Sequence, residues 1–539
     1  MILRRLLPSC LTVLLTLATT GCFNRETPVE RGIRDQVLHR GIGVEPLDLD
    51  PQIATAANDY HTISALFEGL VGQDPRDLSP VPGVAERWDV SGDGLIYTFF
   101  LRADARWSNG EPVTAQDFVA SYRRILTGSL GAENASQFYV LQGAQAFHQG
   151  KVTDFAEVGV KAVDARTLRL TLDHATPYFL SLIQHWAWFP VPLSVIEQAG
   201  PAYERGNPWA RPGTLVGNGP FTLKEWRRGQ RLVVVKSPTY WDAATVRLQE
   251  IHLYPIESRD AEERAFRSGQ LHLTEALPPG KIERYRREEP ELLRVDPYLG
   301  TEFYRINVSR PFLNDKRVRR ALALALDRSL LVEKVLRGGQ QPAYAFTPPD
   351  TAGYTTSARL PEDVAEARRL LAEAGYPGGV GTPAIELLYN TSETHRLLAE
   401  AAQQMWRTQL GLEVRLLNQE FGTLLAARRA GDFQLLRSAW IGDYLDPATF
   451  LHLWRSDSGN NYTGWASTTY DQLTFEAART ADPAARRALL DRAENLLIEE
   501  APFIPLYHYT HVYLVHPSVK GWHPTLLDHH PYKHVWLDL

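Results

Sequence analysis

Asp443 and Asp446 stand three residues apart, a spacing at which two carboxylates can work as an acid–base pair in a hydrolase. Asp443 alone also reads as a turn cap before Tyr444. No GxSxG nucleophile elbow, HExxH zinc motif or GxxxxGK[ST] phosphate loop accompanies the pair, so an enzyme is not expected. His523, His529, His530 and His534 raise a metal reading. Only His530 and His534 have the i, i+4 spacing of a helical ligand pair, and Pro531 interrupts any helix there, so no metal site or cofactor is assigned.

The elements that must position these groups fall into two textures. In the second half, helical patterns at 316–335, 361–374, 392–410 and 483–500 enclose strands at 384–388, 414–418 and 434–438. That alternation reads as α/β with crossover connections. Strand patterns close the chain near 503–515. The first half is richer in hairpins. A strand at 97–101 follows the turn residues Ser91-Gly92-Asp93-Gly94, and strands at 160–172 flank Asp164-Ala165-Arg166. A pair at 221–235 turns at Arg228-Gly229. Residues 58–69 read as a helix, and Thr114 with Asp117 marks the start of another running through Ile125.

With 539 residues, 44% of them hydrophobic, the chain is long enough for about three domains with cores of their own. A net charge of -6 gives no basic field of the kind a nucleic-acid binder carries. The only cysteines are Cys10 and Cys22, which excludes a disulfide scaffold and any thiol nucleophile in the body of the protein.

Arg4 and Arg5 precede an apolar run over 6–20, the pattern of a secretory signal. Leu17-Ala18-Thr19-Thr20-Gly21-Cys22 resembles a bacterial lipobox, with Thr19 where that motif prefers Leu. The resemblance implies cleavage after residue 21 and acylation of Cys22. Loss of residues 1–21 removes two positive charges and no acid, taking the net charge from -6 to -8. Residues 22–36 are polar and read as a tether.

Several blocks together make the chain similar to the extracellular solute-binding proteins of peptide ABC importers. They include Glu45-Pro46-Leu47-Asp48-Leu49-Asp50-Pro51, Leu66-Phe67-Glu68-Gly69-Leu70, the long run from Leu101 to Phe118 around Trp107-Ser108-Asn109-Gly110, and Asn218-Gly219-Pro220-Phe221. Ser237-Pro238-Thr239-Tyr240-Trp241, Asn314-Asp315-Lys316-Arg317-Val318-Arg319, Leu387-Leu388-Tyr389-Asn390-Thr391-Ser392 and Ala439-Trp440-Ile441-Gly442-Asp443-Tyr444 complete the series.

The resemblance implies an α/β clam-shell with mixed sheets, two lobes, three domains and a chain that crosses the hinge twice. Its domains would be 37–80 with 206–299 and 511–539, an inserted domain at 81–205, and a second lobe at 300–510. It further implies capture of oligopeptides between the lobes and delivery to a permease driven by cytoplasmic ATPases. The protein would be a monomer on the outer face of a bacterial membrane, anchored through Cys22. A dipeptide, a murein peptide, or a haem or metal complex is the alternative ligand. Asp443 corresponds to the partner of the ligand's α-amino group, and Arg437 and His395 to residues at its carboxylate end. Trp440, Glu68 and Tyr509 correspond to residues lining the cleft. If extended, 437–443 would span about 20 Å against roughly 10–14 Å for a tri- or tetrapeptide. The chain departs from the family at Thr274-Glu275-Ala276-Leu277, where the family has an Asn-bearing segment, and at Arg305 and Arg429.

Overall fold

The computed structural model describes residues 26–55 and 59–539, so the leader and Cys22 lie outside the described residues. Three sheets organise the chain. The first has four strands in the order Val37–Gly41, Glu250–Tyr254, Arg231–Lys236, Phe221–Arg227, and its first pair is parallel (Leu38 opposite Ile251). Leu38, Ile63, Trp209, Val234 and Ile251 form its core together with Tyr532, Val535 and Leu537 of the returning C-terminus. The second is an antiparallel sheet of Ala85–Val90, Ile96–Leu101, Thr167–Thr171 and Val160–Asp164. Along Ile96–Leu101 burial alternates residue by residue, so Tyr97, Phe99 and Leu101 face a core with Phe118, Tyr122 and Trp188.

The third sheet has six strands of mixed direction, ordered Gln341–Pro342, Phe503–Leu514, Leu293–Ile306, Leu435–Ile441, Ile385–Asn390, Val414–Gln419. Helix Glu393–Leu410 packs on it through Leu398, Ala399, Ala402, Trp406 and Leu410. These positions form one stripe at helical spacing. Ser392 caps its start and left-handed Gly411 ends it.

Two long strands join the lobes. Leu293–Ile306 and Phe503–Leu514 run antiparallel, and their register breaks between Pro297 and Thr301. Proline has no N–H to give to the ladder, which is where a sheet tolerates such a break. On one side of the break, Leu293, Val512 and Leu514 pack with Phe266, Leu271 and Tyr285. On the other, Phe303, Tyr304, Phe503 and Ile504 lie in the core of the six-stranded sheet.

Several expectations are corrected. The tether read over 22–36 contains a helix, Pro28–Asp35, with Thr27 and Glu30 in a reciprocal capping box and Pro28 in its first turn. The helix read over 316–335 is broken: Lys316–Leu324 ends, and Asp327 caps a new start by accepting the Leu330 N–H at 2.8 Å. The helix over 58–69 is Tyr60–Leu66, with Phe67 already extended. The strand Leu293–Ile306 was not expected at all. Trp186, Phe189, Val191 and Ile196, placed with the inserted domain, are buried in the core of the first sheet instead.

Candidate ligand-binding cleft

Strand Leu435–Ile441 carries Arg437 and Trp440 of the predicted site, and Asp443 follows it. On one side it pairs along its whole length with the crossing strand, from Ile306 opposite Leu435 to Gly300 opposite Ile441. On the other, Ile385–Asn390 pairs with it only at Leu435 and Leu436. Among the described residues, no strand covers that edge from Arg437 to Ile441. A run of backbone donors and acceptors is therefore left for another extended chain to join. Gly300 fits this spot because a Cβ there would lie 2.4 Å from Ile441 Cδ1 and 3.0 Å from Tyr509 Cδ2.

Asp443 follows the free edge. Its N–H donates to Thr449 Oγ1 at 3.1 Å, and the Trp440 indole donates to Thr449 O at 2.7 Å, so both residues are fixed on one turn. Asp443 lines a cavity of about 260 Å³ with Trp440, Gln137, Tyr178, Tyr444 and His452. Its side chain is open to this cavity, yet protein surrounds the cavity closely enough that desolvation pushes the carboxyl up to about 6. Among the described residues no cation pairs with it. His452 is held down to about 3 by burial and is neutral beside it. Asp446, the other acid of the candidate pair, is buried in a bidentate bond to Arg486 at 2.7 and 2.8 Å. It is therefore unavailable as a catalytic partner of Asp443.

The inserted domain closes over this cavity. Tyr178 stacks on Tyr444 with centroids 5.1 Å apart and planes 5° from parallel, and the Arg486 guanidinium lies 5.5 Å from the Tyr178 ring. Ala448 is buried in the core of the second sheet, across the lobe boundary.

At the other end of the free edge, Arg437 is not an open cation. Its Nε and Nη2 donate to the two oxygens of Glu302 at 2.5 Å each, and Glu302 is fully buried. Tyr509 donates to Glu302 Oε2 at 2.5 Å and accepts from Arg437 Nη2 at 3.1 Å. His395, at the start of its helix, is lowered by burial and by the nearby Arg437 charge, and its Nδ1 is buried without a partner. His395 and Tyr509 line a cavity of about 720 Å³ between the second lobe and the segment around Ala276–Ile282. Tyr509 also lines a neighbouring cavity of about 410 Å³.

The structure thus brings together five of the six predicted residues along one strand and its surroundings. Glu68 is elsewhere. It accepts from Tyr240 Oη at 2.5 Å and Trp241 Nε1 at 2.6 Å, with Lys533 3.8 Å away. These bonds give it a structural role, and it lines a separate cavity of about 60 Å³. Arg305 is buried too, its guanidinium donating to the backbone carbonyls of Asn460, at 2.9 Å, and Asn461. Sequence reasoning missed Glu302, although one acid in the apolar run Leu299–Ile306 signals a buried partner. It also missed Tyr178, Gln137 and His452, which no local motif marks.

Comparison with known proteins bears on the family and the fold. Residues 79–462 match the family model described as bacterial extracellular solute-binding proteins, family 5 Middle. The chain is 39% identical over 500 residues to the periplasmic oligopeptide-binding protein OppA of Escherichia coli (strain K12), covering 90% of each chain. It is 39% identical over 496 residues to the periplasmic murein peptide-binding protein MppA of the same strain, again covering 90% of each. Among solved structures, that of the Escherichia coli murein tripeptide binding protein MppA superposes with a TM-score of 0.80 at 37% identity, covering 93% of this chain and 98% of the other. Haemophilus influenzae OppA in complex with the peptide RPPGFSPFR gives 0.78 at 31% identity, covering 93% and 99%.

Proposed function

The chain belongs to the bacterial extracellular solute-binding proteins of family 5, and we propose that it is the peptide receptor of an ABC importer. One observation carries the reading. An uncompensated carboxylate, Asp443, faces an open cavity at the end of a strand edge with open backbone groups. A peptide supplies both complements in one molecule: an ammonium for Asp443 and a backbone for the edge from Arg437 to Ile441. Both features are independent of side-chain identity, which suits a receptor for many sequences. Side chains would occupy the surrounding cavities, where bridging water costs only about 0–2 kcal/mol each.

The break in the crossing strands at Pro297–Thr301 would act as the hinge, with the lobes divided near residues 300 and 510. The carboxylate end would lie near His395 and Tyr509, with Arg437 acting through Glu302 rather than as a free clamp. Cys22 would carry the lipid anchor, and the closed receptor would dock on a permease served by cytoplasmic ATPases. The Asp443–Asp446 pair would not serve as an acid–base pair, because Asp446 is committed to Arg486.

The test is native mass spectrometry of the purified protein, followed by denaturing release of what it carries. Intact peptides with free amino termini support the reading. A non-peptide ligand, or peptides cleaved on incubation, would overturn it.

A further inference from the structure

A second group of side chains, in the cavity that shares Tyr509 with the candidate cleft, has the composition of a metal site. His61, from helix Tyr60–Leu66, Glu275 and Asp528 come from three distant parts of the chain. Each offers one ligand atom, and the three atoms all lie within 4.8 Å of one another. His61 Nε2 is 3.6 Å from Glu275 Oε2 and 3.8 Å from Asp528 Oδ2. These gaps exceed a hydrogen bond. They are close to the ligand–ligand edge of about 3.4 Å that a tetrahedral ion with bonds of about 2.0–2.1 Å requires.

The surroundings hold the donors in place. The His61 side chain is 6% exposed, Asp528 12% and Glu275 17%. Asp528 Oδ1 is bonded to both His511 Nδ1 and His530 Nε2 at 2.9 Å, which leaves Oδ2 directed at His61. Such outer bonds orient a carboxylate ligand. The Thr525 hydroxyl accepts the N–H of His529 at 3.0 Å and fixes the turn that carries Asp528. All three donors line the 410 Å³ cavity. Two carboxylates would neutralise a divalent ion. Arg40, 3.4 Å from Glu275 Oε2, and the imidazoles of His511 and His530, each 2.9 Å from Asp528 Oδ1, also contact the two carboxylates, and Arg40 and protonated His511 would be the ion's competitors.

We propose that His61, Glu275 and Asp528 bind one divalent first-row transition ion, with its remaining coordination positions open to the cavity. One imidazole and two carboxylates are a nitrogen–oxygen donor set suited to Zn²⁺, Co²⁺ or Ni²⁺. Three protein ligands with an open position is the arrangement of ions that accept an external donor. None of His523, His529, His530 and His534 supplies a ligand atom.

The experiment uses the full chain purified in detergent, stripped with a chelator and titrated with Co²⁺. Bound metal per chain is measured after desalting, and the visible absorption of bound Co²⁺ reports its coordination. One equivalent is expected. Affinity should fall by about a hundredfold or more in His61→Ala and in Glu275→Gln, because removing even an outer-shell partner costs 10–100-fold. The double variant His523→Ala/His534→Ala should bind as the native chain does. Thermal melts confirm that the variants fold, and the isosteric Glu275→Gln decides alone if His61→Ala does not. No bound Co²⁺ in the native chain, native affinity in Glu275→Gln, or loss of binding in the tail variant would each overturn the proposal.

Discussion

Replacing Asp443 by Asn removes one charge and almost no volume, so it isolates the proposed contact with the ligand's ammonium. The carboxylate faces a cavity in which no cation compensates it, and desolvation has pushed it up to about 6. At a contact distance of about 3 Å and an effective dielectric near 20, two unit charges attract by about 5 kcal/mol. Truncating one partner of a buried charge pair costs about 2–5 kcal/mol, a loss of about 30-fold to several-thousand-fold in affinity. Calorimetry with a free-amine tripeptide and its N-acetyl form should show that loss. It should also show that the acetyl form binds native protein and Asp443→Asn comparably. The sign of the pH effect follows from the raised carboxyl. Asp443 is charged above about pH 6, so native affinity should be full there and fall about tenfold per unit as pH drops below it. His452, held near 3, stays neutral through that window. The Asn variant should be flat across it. An affinity loss under threefold, or tight native binding of the acetylated peptide, would refute the amine contact.

Arg437→Ala should act first on stability, because it strands the fully buried Glu302 carboxylate; about 3–5 kcal/mol is expected by denaturant unfolding. The double change Arg437→Met/Glu302→Leu should recover most of that loss, which a purely ligand-contacting arginine would not show. Gly300→Ala should press on Ile441 and Tyr509 at the lobe boundary and lower the melting temperature by several degrees in calorimetry, corresponding to about 1–3 kcal/mol of overpacking. Arg124→Ala should cost about 3–5 kcal/mol in the same assay. Its guanidinium pairs with buried Asp50 at 2.8 Å and donates to Ala202 O at 2.6 Å, and the partners cannot be rehydrated.

What could be read from the sequence was what depends on neighbours in the chain. The capped start at Thr114–Asp117, the stripe on 393–410 and the alternation at 97–101 are all local patterns, and each element formed where its pattern lies. The crossing strand 293–306 escaped because it is buried on both faces past Leu299 and amphipathic nowhere, so it carries no period-two signal. The capping box at Thr27–Glu30 was legible but hidden by a polar composition that suggested a tether. At the site, Asp443 and Trp440 could be named because they fall in a recognisable block, and Arg437, His395 and Tyr509 from the resemblance as a whole, but their partners could not. Whether Arg437 meets a ligand or Glu302 depends on a pairing between strands more than a hundred residues apart, Tyr304 opposite Arg437, which no local window contains. Glu68 shows the converse: its block is recognisable, yet Tyr240, Trp241 and Lys533 take up its carboxylate.

The distribution of charge over the two lobes sets an order of events. Asp443, the free edge at 437–441, His395 and the Glu302–Arg437–Tyr509 cluster all belong to one six-stranded sheet and its attachments. On the proposed reading, a peptide would make its ammonium and backbone contacts on that lobe alone. What the inserted domain adds at the amine end is mainly the Tyr178 ring, stacked on Tyr444 and beneath Arg486, together with Gln137. These groups would narrow the solvent space around Asp443 and contribute no charge of their own. Closure then gains free energy chiefly by strengthening contacts already made, since desolvation raises the worth of the Asp443 ion pair only once it is formed. Closing over an unpaired carboxylate costs desolvation that the Tyr178–Tyr444 stack offsets only in part, so on the proposed reading an amine would shift the population further toward the closed form whatever the side chains of the peptide.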